Sequence, residues 1–384
     1  MARIAMVAGE ASSDQLAAHL IAALKTQIPD ASFYGIGGPK MQREGFDSQW
    51  PADKLAVRGY AEALRHYREI ARIRRQLLQR LLKDRPDIFI GVDGYDFNAW
   101  LEKRLKRAGI ATVHFVSPTI WAWRKNRLKN ILKSMTHILA LYPFEPALYA
   151  GTPVKCSYVG HPMADVIPLQ TDQKAMRERL GILPNQQVVA LLPGSRQAEL
   201  HYMADTFVAT AKLLHAQNPA LHFLVPLVSA GTRLQFETAM WRQKADELPF
   251  TLMFGHAIDA LTASDVALVA SGTATLETAL VGRPMVITYK VSPWSWRIMR
   301  RMGYQPWIGL PNILAGRFVA PEFLQDDATP ENLAQAIGNL LVDRQARAGI
   351  LRVFASLHRL LRQDTAQKAA AAILPYLKNS LQKA

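Results

Sequence analysis

Short aliphatic runs recur along the 384-residue chain and alternate with stretches of helical period. The first, Arg3–Ala8, predicts a buried strand, and Gly9-Glu10-Ala11-Ser12-Ser13-Asp14 then leads into a helical pattern ending near Ile28. A second run, Ser32–Ile36, ends in Gly37-Gly38-Pro39. Strand, helix, strand with glycines at the turns is βαβ grammar and predicts a parallel sheet. Further strands are expected at Asp87–Val92, Thr112–Val116, Ile138–Leu141 and Lys155–Tyr158. The pattern lapses over Asp165–Gln173 and resumes at Val188–Leu192, His222–Val225, Thr251–Phe254, Val266–Val269 and Met285–Tyr289. From about Arg347 the chain is helical and alanine-rich. Two consecutive α/β halves predict two Rossmann-like domains facing a cleft: 1–165, completed by C-terminal helices over about 347–384, and 166–346.

One helical stretch stands apart. Tyr60–Lys83 carries apolar residues at helical spacing, from Leu64 to Leu82, and is laced with Arg65, Arg68, Arg72 and Arg75; Arg58 precedes it. Such a helix either covers the sheet with its arginines in water or rests on anionic lipid headgroups. The aromatics are not interleaved with the basic residues as a single-strand platform needs, so nucleic acid is not expected as a partner.

Charge sharpens the choice of partner. With 46 basic and 31 acidic residues the formal charge is +15, which calls for an anionic partner. Cys156 is the single cysteine, which excludes an internal disulfide and fits a reducing compartment. The chain enters its first strand without a signal-peptide pattern, and no run approaches the roughly 18 apolar residues of a membrane span. A cytoplasmic protein with peripheral membrane contact is expected, and a homo-oligomer is compatible with the pattern.

Several turns carry candidate chemistry. Ser271-Gly272-Thr273 joins an apolar strand to the helical stretch Thr275–Val281. Unpaired amides and the helix dipole make such a turn a phosphate seat, and Glu277, one turn inside, suits ribose hydroxyls; the alternative is an ordinary capped turn. Pro193-Gly194-Ser195-Arg196 is a second strand-to-helix turn, where Arg196 either pairs with a diphosphate or lies idle on the surface. Asp93, at the end of a first-half strand, is a candidate general base, while Asp96 suits a helix cap. In Ser117–Arg124, SPTIWAWR, Trp121 and Trp123 suit a sugar face or an acyl chain on an exposed loop, or else pack. His161 reads as structural or substrate-touching. The sequence has no Asp-x-Asp pair, Walker loop or His-Glu-x-x-His, and the Gly9–Asp14 loop lacks the dinucleotide glycines. Neither a metal nor a cofactor is expected.

Together these segments resemble the lipid-A-disaccharide synthases, a glycosyltransferase family of GT-B architecture. The resemblance runs nearly end to end, through AGEASSD (Ala8–Asp14), GGPKM (Gly37–Met41), LAVRG (Leu55–Gly59), VSPTIWAWR (Val116–Arg124), PFE (Pro143–Glu145), GHPMAD (Gly160–Asp165), LLPGSR (Leu191–Arg196), ASGTATLE (Ala270–Glu277) and LPNILAGR (Leu310–Arg317). It implies transfer from UDP-2,3-diacylglucosamine to 2,3-diacylglucosamine 1-phosphate (lipid X), with inversion, at the inner membrane surface. It also implies a donor set of Arg196, Ser271, Gly272, Thr273, Glu277 and Asn312, and an acceptor set of Ser117, Trp121, Trp123 and Asn98. Asp93 would be the base, with Glu10 its rival. Two positions depart from the family pattern: Ser13, where glycine is usual, and Gly94-Tyr95, within a run that usually reads Asp-Ala-Pro-Asp-Phe-Asn. The competing readings are a dehydrogenase, a basic binding protein and a UDP-sugar 2-epimerase.

Overall fold

The computed structural model describes residues 2–52, 60–121, 127–302 and 306–381, without the side chains of 60–67, 298, 300–302 and 378–381. Arg58, Trp123 and the LAVRG segment lie outside the described residues, as does the side chain of Arg65. The chain divides into two compact units, Met1–Asp165 with Leu361–Ala384, and Val166–Leu360. The return to the first unit therefore falls at 361, after the helix Arg344–Leu361, not near 347.

Unit 1 is a seven-stranded parallel sheet built from β1 (Arg3–Ala8), β2 (Ser32–Ile36), β3 (Asp47–Trp50), β4 (Ile88–Val92), β5 (Ala111–Phe115), β6 (His137–Ala140) and β7 (Lys155–Tyr158). Its strand order is β3-β2-β1-β4-β5-β6-β7. Unit 2 repeats the plan with β8 (Val188–Leu192), β9 (His222–Leu227), β10 (Phe250–Phe254), β11 (Val266–Ala270), β12 (Met285–Tyr289) and β13 (Glu322–Leu324), in the order β10-β9-β8-β11-β12-β13. Both are the doubly wound order, with strand numbering reversing once on either side of a central pair. That pair is β1–β4 in unit 1 and β8–β11 in unit 2. These four strands are the most aliphatic in the chain because helices cover both faces.

The faces of unit 1 show why. On one, the helix Ala11–Gln27 and the C-terminal helix Thr365–Leu381 pack Leu20, Leu24, Ile373 and Leu377 against Ile4, Met6 and Ile90. On the other, Ile73, Leu77 and Leu81 of the helix Tyr60–Asp84 pack on Ala5, Val7 and Phe89. The apolar face of that arginine-rich helix is thus core from Ile73 onward, and Arg68, Arg72 and Arg75 stay exposed. Asp165 of the GHPMAD segment fastens the C-terminal helix: its carboxylate accepts the amides of Gln363, Asp364 and Thr365 at 2.8–3.0 Å. Asp14 acts alike on the GGPKM turn, accepting from Gly38, Lys40 and Met41.

Candidate active site

Parallel α/β sheets bind ligands beyond the carboxyl ends of the strands, where the order reverses. In unit 1 that point is the edge of β1 and β4, paired in register from Ile4↔Ile88 to Ala8↔Val92. Asp93 follows β4 directly, and Glu10 stands two residues past β1. The two candidate bases therefore flank one switch point, both exposed.

Each is held by backbone. Glu10 opens the helix Ala11–Gln27, and the Ser13 hydroxyl accepts its N–H and donates to its carbonyl, both at 2.9 Å. The serine that departs from the family pattern fixes this turn. Asp93 and Gly94 are both left-handed, at φ 54° and 51°, a conformation costly for a residue with a Cβ. The turn survives because the Asp93 N–H donates to Phe115 O at 2.8 Å and Asn98 Nδ2 donates to Asp93 O at 2.8 Å. Asn98 is buried, so it positions Asp93 rather than meeting an acceptor. Beneath it, Glu102 Oε1 and His114 Nδ1 form a buried pair at 2.7 Å. Burial raises the Glu102 carboxyl above its usual range, and the charge of His114 and its hydrogen bond oppose the rise.

The loop after β5 differs from its expected form. Trp121 is buried, edge-on to Phe144 and Tyr142 at 5.4 and 6.2 Å between ring centres, and offers no exposed face. Ser117 is also buried and bonds Tyr149 Oη at 2.9 Å. Both side chains hydrogen-bond the carboxyl of Glu145, from the PFE segment. Desolvation pushes that carboxyl up to about 7, against the bonds from Tyr142 N–H, Ser117 and Trp121. Ser117 and Trp121, expected at the acceptor, are thus buried in building this loop, while Asn98, on the helix Tyr95–Arg107, holds the Asp93 turn. A carboxylate nearly thirty residues downstream turns it inward, and PFE, without periodicity, gave no hint of that partner. His161 resolves the same way, buried on Tyr142 and lowered by burial to about 4.

In unit 2 the switch point is β8–β11, with Leu192 beside Val269. The Ser271-Gly272-Thr273 turn rises from β11 with Gly272 at φ 147° and opens the helix Thr273–Val281. Among the described residues no acceptor meets the amides of Thr273 and Ala274. The turn is an open anion seat. Glu277, half-buried one turn further, has no hydrogen-bond partner among the described residues, and desolvation raises its carboxyl.

The Pro193–Arg196 turn after β8 is not a second seat of that kind. Glu199 Oε2 accepts the amides of Ser195 and Arg196 at 2.8 and 3.2 Å, filling the place of an anion with its own carboxylate. Glu199 was missed, although its spacing from Arg196 is that of a capping box. What this turn presents is the Arg196 side chain, 82% exposed. Asn312 is fully buried: its Nδ2 donates to Ala320 O and Glu322 Oε1, and its Oδ1 accepts from Val319 and Ala320. With its amide saturated, its expected donor contact is corrected to holding the helix Leu310–Ala315 and β13 together.

Two doubly wound units with turns of this kind define the GT-B class. The fold is shared with the UDP-GlcNAc 2-epimerase of Neisseria meningitidis bound to UDP-GlcNAc, at a TM-score of 0.63 and 12% identity over 100% of both chains. It is shared too with Anabaena HepE in complex with UDP and glucose, at a TM-score of 0.59 and 15% identity over 98% and 99%. Sequence narrows the class. A family model described as lipid-A-disaccharide synthetase matches residues 4–374. The chain is 60% identical over 376 residues to the lipid-A-disaccharide synthase of Dechloromonas aromatica, covering 98% of each. With that of Azoarcus sp. it shares 57% over 378 residues, 98% of this chain and 97% of the other. The chain belongs to the lipid-A-disaccharide synthase family and is a glycosyltransferase. The dehydrogenase and binding-protein readings fall with that membership, and the epimerase reading keeps only the fold.

Proposed function

We propose that the protein transfers 2,3-diacylglucosamine from its UDP conjugate to the 6-hydroxyl of 2,3-diacylglucosamine 1-phosphate, giving the β-1,6 disaccharide 1-phosphate and UDP. The observation that carries the reading is that both switch points bear the groups the reaction needs: carboxylates in unit 1, an anion seat and an arginine in unit 2. The donor diphosphate takes the Ser271-Gly272-Thr273 amides, Glu277 takes the ribose hydroxyls, and Arg196 stabilises the charge that develops on departing UDP. Asp93 removes the proton from the acceptor hydroxyl as it attacks the anomeric carbon, so one displacement inverts the centre. Glu10, across the same switch point, is the alternative base.

Both substrates are anionic lipids, and the outward face of Arg68, Arg72 and Arg75 suits peripheral contact with the cytoplasmic leaflet, each cation contributing about 1 kcal/mol. Among the described residues no helix is long and apolar enough to cross a membrane. Unit 1, with its C-terminal helix, serves the acceptor, and unit 2 serves the donor.

The test is mass detection of the disaccharide from the two lipids, with Asp93→Asn and Glu10→Gln compared. Asp93→Asn should slow turnover by roughly 10²–10⁴-fold with UDP affinity unchanged. Full turnover in Asp93→Asn with an inactive, UDP-binding Glu10→Gln would move the role to Glu10.

A further inference from the structure

The outer face of the helix Tyr95–Arg107 carries a cavity of about 320 Å³ that no step of the reaction uses. Arg74 reaches it from the helix Tyr60–Asp84, and Lys103 and Arg104 from the helix Tyr95–Arg107 itself. Trp100 lies among them with guanidinium groups packed on its ring: Arg104 Cζ is 3.5 Å and Arg74 Cζ 4.4 Å from the ring centre. An indole used this way is no sugar platform. It holds two like charges close together, and Arg104, which donates one N–H to Trp100 O at 3.0 Å, has further N–H groups in its fork to offer an anion.

The surrounding charge is unbalanced. Among the described lining residues Asp96 is the one carboxylate, and it is already engaged by Arg127 Nη2 at 3.0 and 3.2 Å. Lys103 has no ion-pair partner among the described residues. Desolvation, with a smaller push from the neighbouring charge of Arg107, lowers the Arg104 guanidinium from its ordinary value. Asn130 adds an amide at the rim, its Nδ2 donating to Tyr95 Oη at 3.0 Å.

We infer that this cavity is a binding site for a phosphate group, held by Lys103 and the Trp100-clamped arginines. Lys103 and Arg104 lie eight and nine residues along the helix from Tyr95, the residue that opens it beside the Asp93 turn, about 12 Å or more at 1.5 Å per residue. A pyranose whose 6-hydroxyl reaches Asp93 does not carry its own phosphate that far. The site therefore suits a second phosphate, from a phospholipid headgroup or from solution. At the lower end of ligand-cavity volumes, it suits a small anionic group better than a whole nucleotide sugar.

Binding is tested on the full chain without substrate, so the outcome stands whether or not the disaccharide forms. Protein is floated with phosphatidylglycerol-containing vesicles and with phosphatidylcholine alone, in chloride and in inorganic phosphate at equal ionic strength. Direct phosphate binding is followed by calorimetry. A headgroup site predicts that phosphate releases wild type from phosphatidylglycerol beyond the effect of chloride. Lys103→Ala should weaken vesicle binding about tenfold or more and lose that extra release, and Lys103→Arg should restore both. If phosphate instead binds wild type saturably, fails with Lys103→Ala, and vesicle affinity is unchanged, the site stands with a soluble source. If phosphate and chloride act alike and Lys103→Ala does no more than Arg72→Ala, the cavity is not a phosphate site.

Discussion

Glu145 offers the sharpest check on how the loop after β5 is held. Its carboxyl is raised to about 7 from an ordinary 4.5 because burial costs the charged form more than its hydrogen bonds return. The folded state therefore holds a proton that the unfolded chain has released. Stability contributed by that proton is full below about pH 4.5 and is lost as pH rises through about 7. At about 1.4 kcal/mol per unit, the loss amounts to roughly 3 kcal/mol. Glu145→Gln keeps the shape and stays neutral, so its stability relative to wild type should climb by roughly that amount between about pH 5 and pH 8. Urea denaturation of both proteins across this range, followed by tryptophan fluorescence, measures the gap. Parallel curves, or a gap that widens toward acid, would show that Glu145 is not the buried, protonated anchor of Ser117 and Trp121.

Three other substitutions probe the supports of the two switch points. Asp14→Ala strips one carboxylate from three amides of the Gly38–Met41 turn and should cost about 3 kcal/mol or more, read as a lowered thermal midpoint, with Asp14→Asn milder. Gly91→Ala would put a Cβ 2.4 Å from Glu102 Oε1 and 2.9 Å from Asn98 Cβ; an overpacking loss of about 1–3 kcal/mol is expected, and an unchanged unfolding midpoint would contradict it. Glu277→Gln removes a carboxylate whose burial disfavours its charge, so above the raised titration the fold should be no less stable while UDP binding weakens. If Glu277 holds the ribose, calorimetric UDP affinity of wild type should fall as pH drops through the same titration, because only an ionised carboxylate accepts from both hydroxyls.

How far the sequence could be read depended on whether the cause was local. β1, β4, β8 and β11 were legible because a strand covered on both faces must be apolar throughout. The edge strands β3 (Asp47–Trp50) and β13 (Glu322–Leu324) were not, since half-buried segments of four and three residues carry no period to read. The turns at the switch points were visible as glycines and small residues after apolar runs. Their occupants were not: Glu199 filling the amides of Ser195 and Arg196, and Glu322 with Ala320 consuming the Asn312 amide, are tertiary facts. Trp121 misled for the same reason, because an indole in a polar loop looks exposed until its distant carboxylate is placed.

The two units solve their crests differently, and the difference bears on which residue is chemical. In unit 2 the crests after β8 and β11 take positive φ only at glycines, Gly194 at 129° and Gly272 at 147°, so the backbone itself approaches an anion at no steric cost. In unit 1 the crests after β4 and β5 include Asp93 at φ 54° and Val116 at 81°, residues whose Cβ makes that conformation unfavourable by about 1–2 kcal/mol. Neither amide is stranded: Asp93 N–H donates to Phe115 O and Val116 N–H to Leu139 O, bonds a glycine would make as well. Among the described residues the exposed Asp93 carboxylate has no hydrogen-bond or ion-pair partner, so stability alone favours glycine there. Asp93→Gly should leave the unfolding midpoint unchanged or raise stability by up to about 1 kcal/mol, the strain relief being partly offset by the freer unfolded chain. If Asp93 is the base, the same variant should lose turnover by roughly 10²-fold or more while still binding UDP. A clear drop in the midpoint would mean that the carboxylate supports the turn, and the loss of activity in Asp93 variants would then no longer identify a base.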